Sequence, residues 1–157
     1  MPHAMRVFCR KATVPTPGEI LQALSAAKLP AQLEPDAAVD LENPNWEQLQ
    51  IVIAPGHAPL IVDRDCEGNG SHVRDEVREF LDVLEAAPNS GAKREVAAQL
   101  KRTKQVVCLE VPTSDIDPTG WAVAHALVRL LVKTSDGLLQ ADGEGFYRGN
   151  DLILELT

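Results

Sequence analysis

Residues 117–133 constrain the fold more than any other part of the chain. Beyond the first turn of this stretch, the only charged or strongly polar residues are His125, Arg129 and Lys133, spaced four apart. On a helix this spacing places the three side chains in one narrow stripe. The remaining surface is apolar, with Leu127 opposite the stripe. The sequence therefore predicts a helix nearly surrounded by apolar neighbours, with a sheet laid against it.

Both ends of this helix carry recognisable capping residues. Asp117 is a favourable N-cap, and Pro118 suits the first helical turn. Gly137 is expected to end the helix in the left-handed conformation.

The rest of the chain alternates between short apolar strands and amphipathic helices. Strands are predicted over residues 6–10, 31–34, 46–54, 59–63, 105–111, 138–141, 145–148 and 152–156. Further helices are predicted from Pro17, after a Ser71 cap and from Ala92. Residues 64–70 are predicted to form a loop. The apolar run QVVCLEV, which contains Val107 and Leu109, indicates a central strand.

These elements predict an α+β fold with a mixed, mainly antiparallel sheet and helices packed on it. The two halves of the chain show a weak internal similarity. The segments RVFC and QVVC are each followed by prolines, a helix and strands, which suggests two strand–helix–hairpin units. No linker divides the chain, so residues 1–157 are predicted to form one domain. Residues 1–4 are expected to be disordered because Met5 is a plausible start.

Charge and composition narrow the range of partners. The net charge is −8 and aromatic residues make up only 4% of the chain, which argues against binding to nucleic acid. An anionic membrane would also repel an acidic surface. The expected partner is a protein or a small molecule, and the sequence leaves the oligomeric state open. The three cysteines, an odd number, indicate reduced thiols and a cytoplasmic location.

The helical stripe and the C-terminal turn supply the candidate binding residues. His125 and Arg129 either form a solvated strip or line a pocket that accepts an acid, and the solvated strip is the more ordinary reading. Asp142, Glu144 and Tyr147 either mark an exposed binding rim or simply reflect turn polarity.

A second candidate region lies between His57 and His72. Asp63, Asp65, Cys66 and His72 have side chains that can bind metal ions, but the spacing of a complete structural metal site is missing. A solvated turn before a helix is the simpler interpretation, so we expect neither a metal nor another cofactor.

The segment DGLLQADGEGFYRGNDLILEL resembles the ends of certain bacterial domains of unknown function with a compact α+β fold. The resemblance rests on Gly137, Gln140, Asp142, Gly143, Gly145, Phe146 and Tyr147. It implies a bacterial source and a hairpin that maintains the fold, and it implies no activity.

Two functions from different classes remain open at this point. The first is a non-enzymatic binding, regulatory or immunity-type interaction module. The second is a small metal-dependent or hydrolytic enzyme that uses the region from His57 to His72. The chain contains no GxSxG elbow, P-loop or GxGxxG motif, which favours the first.

Overall fold

A computed structural model describes residues 3–34, 38–68 and 70–156. The strands are β1 (His3–Cys9), β2 (Gln32–Leu33), β3 (Gln48–Val52), β4 (Leu60–Cys66), β5 (Gln105–Val111), β6 (Gly137–Ala141), β7 (Gly145–Arg148) and β8 (Asp151–Glu155). The helices are α1 (Pro17–Ala26), α2 (Val73–Glu85), α3 (Gly91–Lys101) and α4 (Pro118–Ser135). None of the helices in the described part of the chain has the length and hydropathy needed to cross a bilayer.

The strands form one sheet of eight strands in the order β2-β3-β4-β5-β1-β6-β7-β8. Helices α1 and α4 pack on one face of this sheet, and α2 and α3 pack on the other. The predicted α+β fold with helices on a sheet is thus confirmed. All pairings between the described strands are antiparallel, so the sheet is not mixed.

The centre of the sheet is formed by β5 and β1. Val107 and Leu109 of β5 are each only 1% exposed, which confirms the central position predicted for this strand. Two similar units are present, β1-α1-β2-β3-β4 and β5-α4-β6-β7-β8. Each unit contributes its first strand to the other, because β1 lies between β5 and β6 while β5 lies between β4 and β1. The two units are therefore interlocked and share one sheet.

Helix α4 begins as predicted and ends one residue earlier than expected. The side chain of Asp117 accepts a hydrogen bond from the Gly120 amide at 2.8 Å. The left-handed cap is Asp136, with φ of 53°, and Gly137 is already the first residue of β6. A Cβ at Gly137 would lie 2.3 Å from Val7 Cγ1, so glycine is required for the close approach of β6 to β1. The middle layer is the sheet, and α4 covers it from outside.

Two segments expected to be irregular belong to strands. Of residues 1–4, which were predicted to be disordered, Met1 and Pro2 lie outside the described residues, whereas His3 and Ala4 pair with Val111 and Glu110 of β5. The predicted loop from Arg64 onward begins later, because residues 64–66 continue β4 and pair with β5. The Arg64 guanidinium donates to Gln105 and to the backbone carbonyls of Ala12, Pro44 and Trp46, which is how a charged residue is accommodated in this strand.

Candidate functional site

An open cleft of about 480 Å³ lies between α4 and the β6–β7 hairpin. Its floor is apolar and is formed by Met5, Val128, Val132, Leu139 and Ala141. Its polar rim includes His125, Arg129 and Lys133 on one side and Glu144 and Tyr147 on the other. We call this feature the α4 cleft.

The cationic side of the α4 cleft follows from the spacing seen in the sequence. His125, Arg129 and Lys133 are all exposed along the helix, whereas Leu127 on the opposite surface is fully buried. The sequence predicted this arrangement of the helix. The stripe borders the concave apolar floor of the cleft. This position fits the interpretation that the stripe lines a pocket better than the interpretation that it is only a solvated strip.

The opposite side of the cleft is held by a short hydrogen bond. The Tyr147 hydroxyl donates to Glu144 Oε1 at 2.7 Å. This bond raises the pKa of Tyr147, so the phenol stays protonated at neutral pH and continues to donate. His3 Nε2 lies 3.7 Å from the other carboxylate oxygen of Glu144. The Glu144 carboxylate is therefore engaged from both sides.

A row of three rings begins at His125, which lines the cleft. Trp121 lies between His3 and His125, with ring centroids 5.8 Å apart in both pairs. The sequence did not identify His3 as part of this region, since His3 reaches it only through the pairing of β1 with β5 and β6. No local pattern in the first residues indicates such a contact.

The cations of the α4 cleft have no internal partner among the described residues. Within the described part of the chain, the side chains of Arg129 and Lys133 make no hydrogen bond or ion pair. By contrast, Arg6 and Arg10 are both paired with carboxylates. Arg129 and Lys133 are thus available to a ligand that enters the cleft.

Asp142, the fifth predicted binding residue, lies on the other face of the sheet. It accepts hydrogen bonds from Arg6 Nη1 at 2.8 Å and from Gln140 Nε2 at 3.1 Å. Burial raises the pKa of Asp142, but the two bonds and the nearby charges of Arg6 and His3 together outweigh burial, and the net pKa is lowered. Asp142 thus links β6 to β1 and is not among the residues that line the α4 cleft.

The candidate metal ligands around β4 point in different directions. Asp63 accepts from Gln48 at 2.7 Å, and Asp65 accepts from the backbone amide of His72 at 2.9 Å. Cys66 lies on the other face of the strand, where its thiol contacts Gln105 at 3.6 Å. Among the described residues, no three His, Cys, Asp or Glu side chains are placed to hold a metal ion together.

His57 and His72 lie at opposite ends of β4 and do not form one site. His57 Nδ1 is 2.8 Å from Asp115 Oδ1, and Asp115 also accepts from the Ala58 amide at 2.7 Å. The depression beside this pair has a volume of only about 20 Å³ and no Ser, Thr or Cys in its described lining. The contacts of Asp115 connect the β3–β4 turn to the loop before α4.

The two cysteine thiols within the sheet strands β1 and β5 are poor nucleophiles. Burial raises the pKa of Cys9 to about 12 and that of Cys108 to about 11. Both are therefore protonated at neutral pH, whereas the nucleophilic form of cysteine is the thiolate. Neither offers an activated nucleophile to the α4 cleft.

No protein family model matches the chain, and comparisons with curated proteins and with solved structures found no match. The resemblance of residues 136–156 to bacterial domains of unknown function therefore stays a prediction. The geometry of the α4 cleft is the basis on which a function can be proposed.

Proposed function

We propose that this protein is a non-enzymatic binding module whose α4 cleft takes a small carboxylic acid with an apolar body. The observation that carries the proposal is the pair of unpartnered cations, Arg129 and Lys133, along the edge of an apolar floor. Such a surface offers one part of a ligand a place to leave water and another part a counter-charge.

The dimensions and chemistry of the cleft suit this class of ligand. Small-molecule sites typically have volumes of about 300–1,000 Å³, are mostly apolar and contain a few polar groups. The volume of about 480 Å³ falls within that range. The Arg129 guanidinium can meet a carboxylate with two parallel N–H donors, a geometry that the Lys133 ammonium cannot reproduce.

A binding role is supported over hydrolysis by the groups that line the cleft. His125 is the candidate base, but the described lining offers no Ser, Thr or Cys that His125 could activate. The Tyr147 hydroxyl and the Glu144 carboxylate are hydrogen-bonded to each other. The groups on the rim are thus suited to hold a ligand in one orientation.

We place this module in the cytoplasm, with a small molecule as its partner. Cys66 is exposed and free in the structure, and an exposed free thiol persists most easily in a reducing compartment. The acidic net charge of −8 supports a partner other than a membrane surface.

Calorimetric titration with 4-phenylbutyrate tests the proposal, with 4-phenylbutanol as the uncharged ligand of similar shape. We expect the acid to bind more tightly than the alcohol, and Arg129→Gln to weaken binding of the acid about tenfold. Arg78→Gln is the matched control, because it removes the same charge from an exposed position on α2.

Equal affinity for the acid and the alcohol would contradict recognition of the carboxylate. Equal losses in Arg129→Gln and Arg78→Gln would show that overall charge, and not the cleft, governs binding. Absence of binding by a series of aryl and alkyl monocarboxylates would overturn the proposal as a whole.

A further inference from the structure

A second concave surface lies at the end of the sheet where β1 ends and β5 begins. It has a volume of about 400 Å³, and its charged lining residues are Arg10, Glu67, Arg74, Lys101, Arg102 and Lys104. Five of these six residues are cations. We call this surface the basic basin, and it shares no lining residue with the α4 cleft.

The basic basin is assembled from separate stretches of the chain by backbone hydrogen bonds. The Lys104 amide donates to the Cys9 carbonyl at 2.8 Å, and the Glu67 amide donates to the Lys104 carbonyl at 2.8 Å. These two bonds bring together the ends of β1 and β4 and the start of β5. The segment that carries Lys104 is thereby fixed to the ends of β1 and β4, and Lys101 and Arg74 are held by helices α3 and α2.

Two of the cations are held in place by internal partners. Arg74 pairs with Glu67 at 2.8 Å and also donates to the backbone carbonyls of Lys101 and Thr103. Arg10 pairs with Asp136 at 2.7 Å, and this interaction lowers the pKa of Asp136. The carboxylates beside the basin are thus already engaged with guanidinium groups.

The other three cations have no such partner. In residues 3–34, 38–68 and 70–156, the side chains of Lys101, Arg102 and Lys104 make no hydrogen bond or ion pair. The carboxyl end of α3 accounts for Lys101 and Arg102, since cations there stabilise the helix dipole. It does not account for Lys104, which lies in the segment between α3 and β5.

The clustering is notable because the chain as a whole carries a net charge of −8. Like charges repel each other, and Lys101, Arg102 and Lys104 have no carboxylate partner among the described residues. An anion bound in the basin would supply the missing counter-charge.

We infer that the basic basin binds a compact polyphosphate anion. The Arg102 guanidinium, which has no partner among the described residues, can meet phosphate oxygens with paired N–H donors, and the ammonium groups of Lys101 and Lys104 add charge without a geometric demand. The described lining contains no aromatic side chain on which a base could stack. Recognition therefore depends on a dense group of charged oxygens and not on a nucleobase or an apolar body.

Titration of the whole protein with tripolyphosphate at physiological salt tests this inference. We expect the double variant Arg102→Gln/Lys104→Gln to weaken tripolyphosphate binding about tenfold or more. The matched control is Arg78→Gln/Arg94→Gln, which removes the same charge from exposed positions on α2 and α3. Among the described residues, none of these four side chains has a hydrogen bond or ion pair, so thermal unfolding of both variants should stay close to that of the wild type.

The inference is overturned if tripolyphosphate does not bind, or if the two double variants lose affinity equally. Citrate, a compact polyanion without phosphorus, is expected to bind more weakly, and equal affinity for citrate would contradict a phosphate-specific site. Tighter binding of a short single-stranded DNA than of tripolyphosphate would identify a nucleic-acid surface instead. All of these outcomes are independent of whether the α4 cleft binds 4-phenylbutyrate.

Discussion

Gln105 shows how one buried polar side chain connects several segments of this fold. It is completely buried, yet its Nε2 donates to the carbonyls of Lys11 and Thr13 at 2.8 and 3.0 Å. Its Oε1 accepts from Arg64 Nε at 2.7 Å. The side chain thus joins β5 to β4 and to the connection between β1 and α1.

We predict that Gln105→Leu lowers the free energy of unfolding by about 2–4 kcal/mol, because it leaves two carbonyls and a guanidinium short of a partner. Gln48→Leu is the control, since the Gln48 side chain is exposed and, among the described residues, hydrogen-bonds only to Asp63. That control should change stability by no more than about 0.5 kcal/mol. Urea unfolding of both variants measures the difference, and similar losses would show that the contacts of Gln105 are not important for stability.

The roles of individual residues were predictable where the signal is local. The stripe of His125 and Arg129 could be derived from a spacing of four on one helix. The roles of Gln105 and His3 could not, since Gln105 bonds to residues more than ninety positions away. A one-dimensional pattern contains no information about which distant carbonyl a buried amide will meet.

At the scale of the element, α4 stabilises one face of the sheet while it forms one wall of the cleft. Its buried side includes Val123, Ala124, Leu127, Val128 and Leu131. Its exposed side carries the cations. The two sides should therefore respond very differently to truncation.

We predict that Leu127→Ala lowers the free energy of unfolding by about 2–5 kcal/mol, from lost burial and an unfilled cavity. His125→Ala should change it by about 0.5 kcal/mol or less, because His125 is exposed and its ring contact is with partly exposed Trp121. Paired denaturant melts give both values. If both losses are small, α4 does not have the structural role described above.

Strand β4 shows where reasoning at the level of elements was wrong. Residues 64–66 were predicted to lie in a loop, since a strand usually alternates in polarity. The structure shows one row across the sheet, formed by Gln48, Asp63, Cys108, Arg6 and Gln140. Helices α2 and α3 pack on this face of the sheet but leave the row only partly covered. Polar side chains can therefore follow one another in a strand that is still fully paired.

At the scale of the whole molecule, the order of strands was beyond the reach of the sequence. The α+β class and the central position of β5 followed from apolar runs and turn residues. The exchange of β1 and β5 between the two units depends on pairings of residues far apart in the chain. The basic basin could not be predicted from the sequence for the same reason, since its cations come from separate segments of the chain.

The fold presents two surfaces, the α4 cleft and the basic basin, whose linings differ in chemical character. The α4 cleft combines apolar area with a few cations, whereas the described lining of the basic basin consists of six charged residues and Thr103. An amphipathic acid and a polyphosphate should therefore compete weakly or not at all.

The central claim is that a small amphipathic carboxylate binds in the α4 cleft, and two-dimensional ¹H–¹⁵N NMR tests its location directly. On titration with 4-phenylbutyrate, we predict shifts in the amide signals of residues 125–133 and 139–150, which include the rim and floor of the cleft. The amides of residues 101–104, in the basic basin, should remain unchanged. Shifts confined to residues 101–104, or no saturable shifts around α4 and β6–β7, would contradict the account.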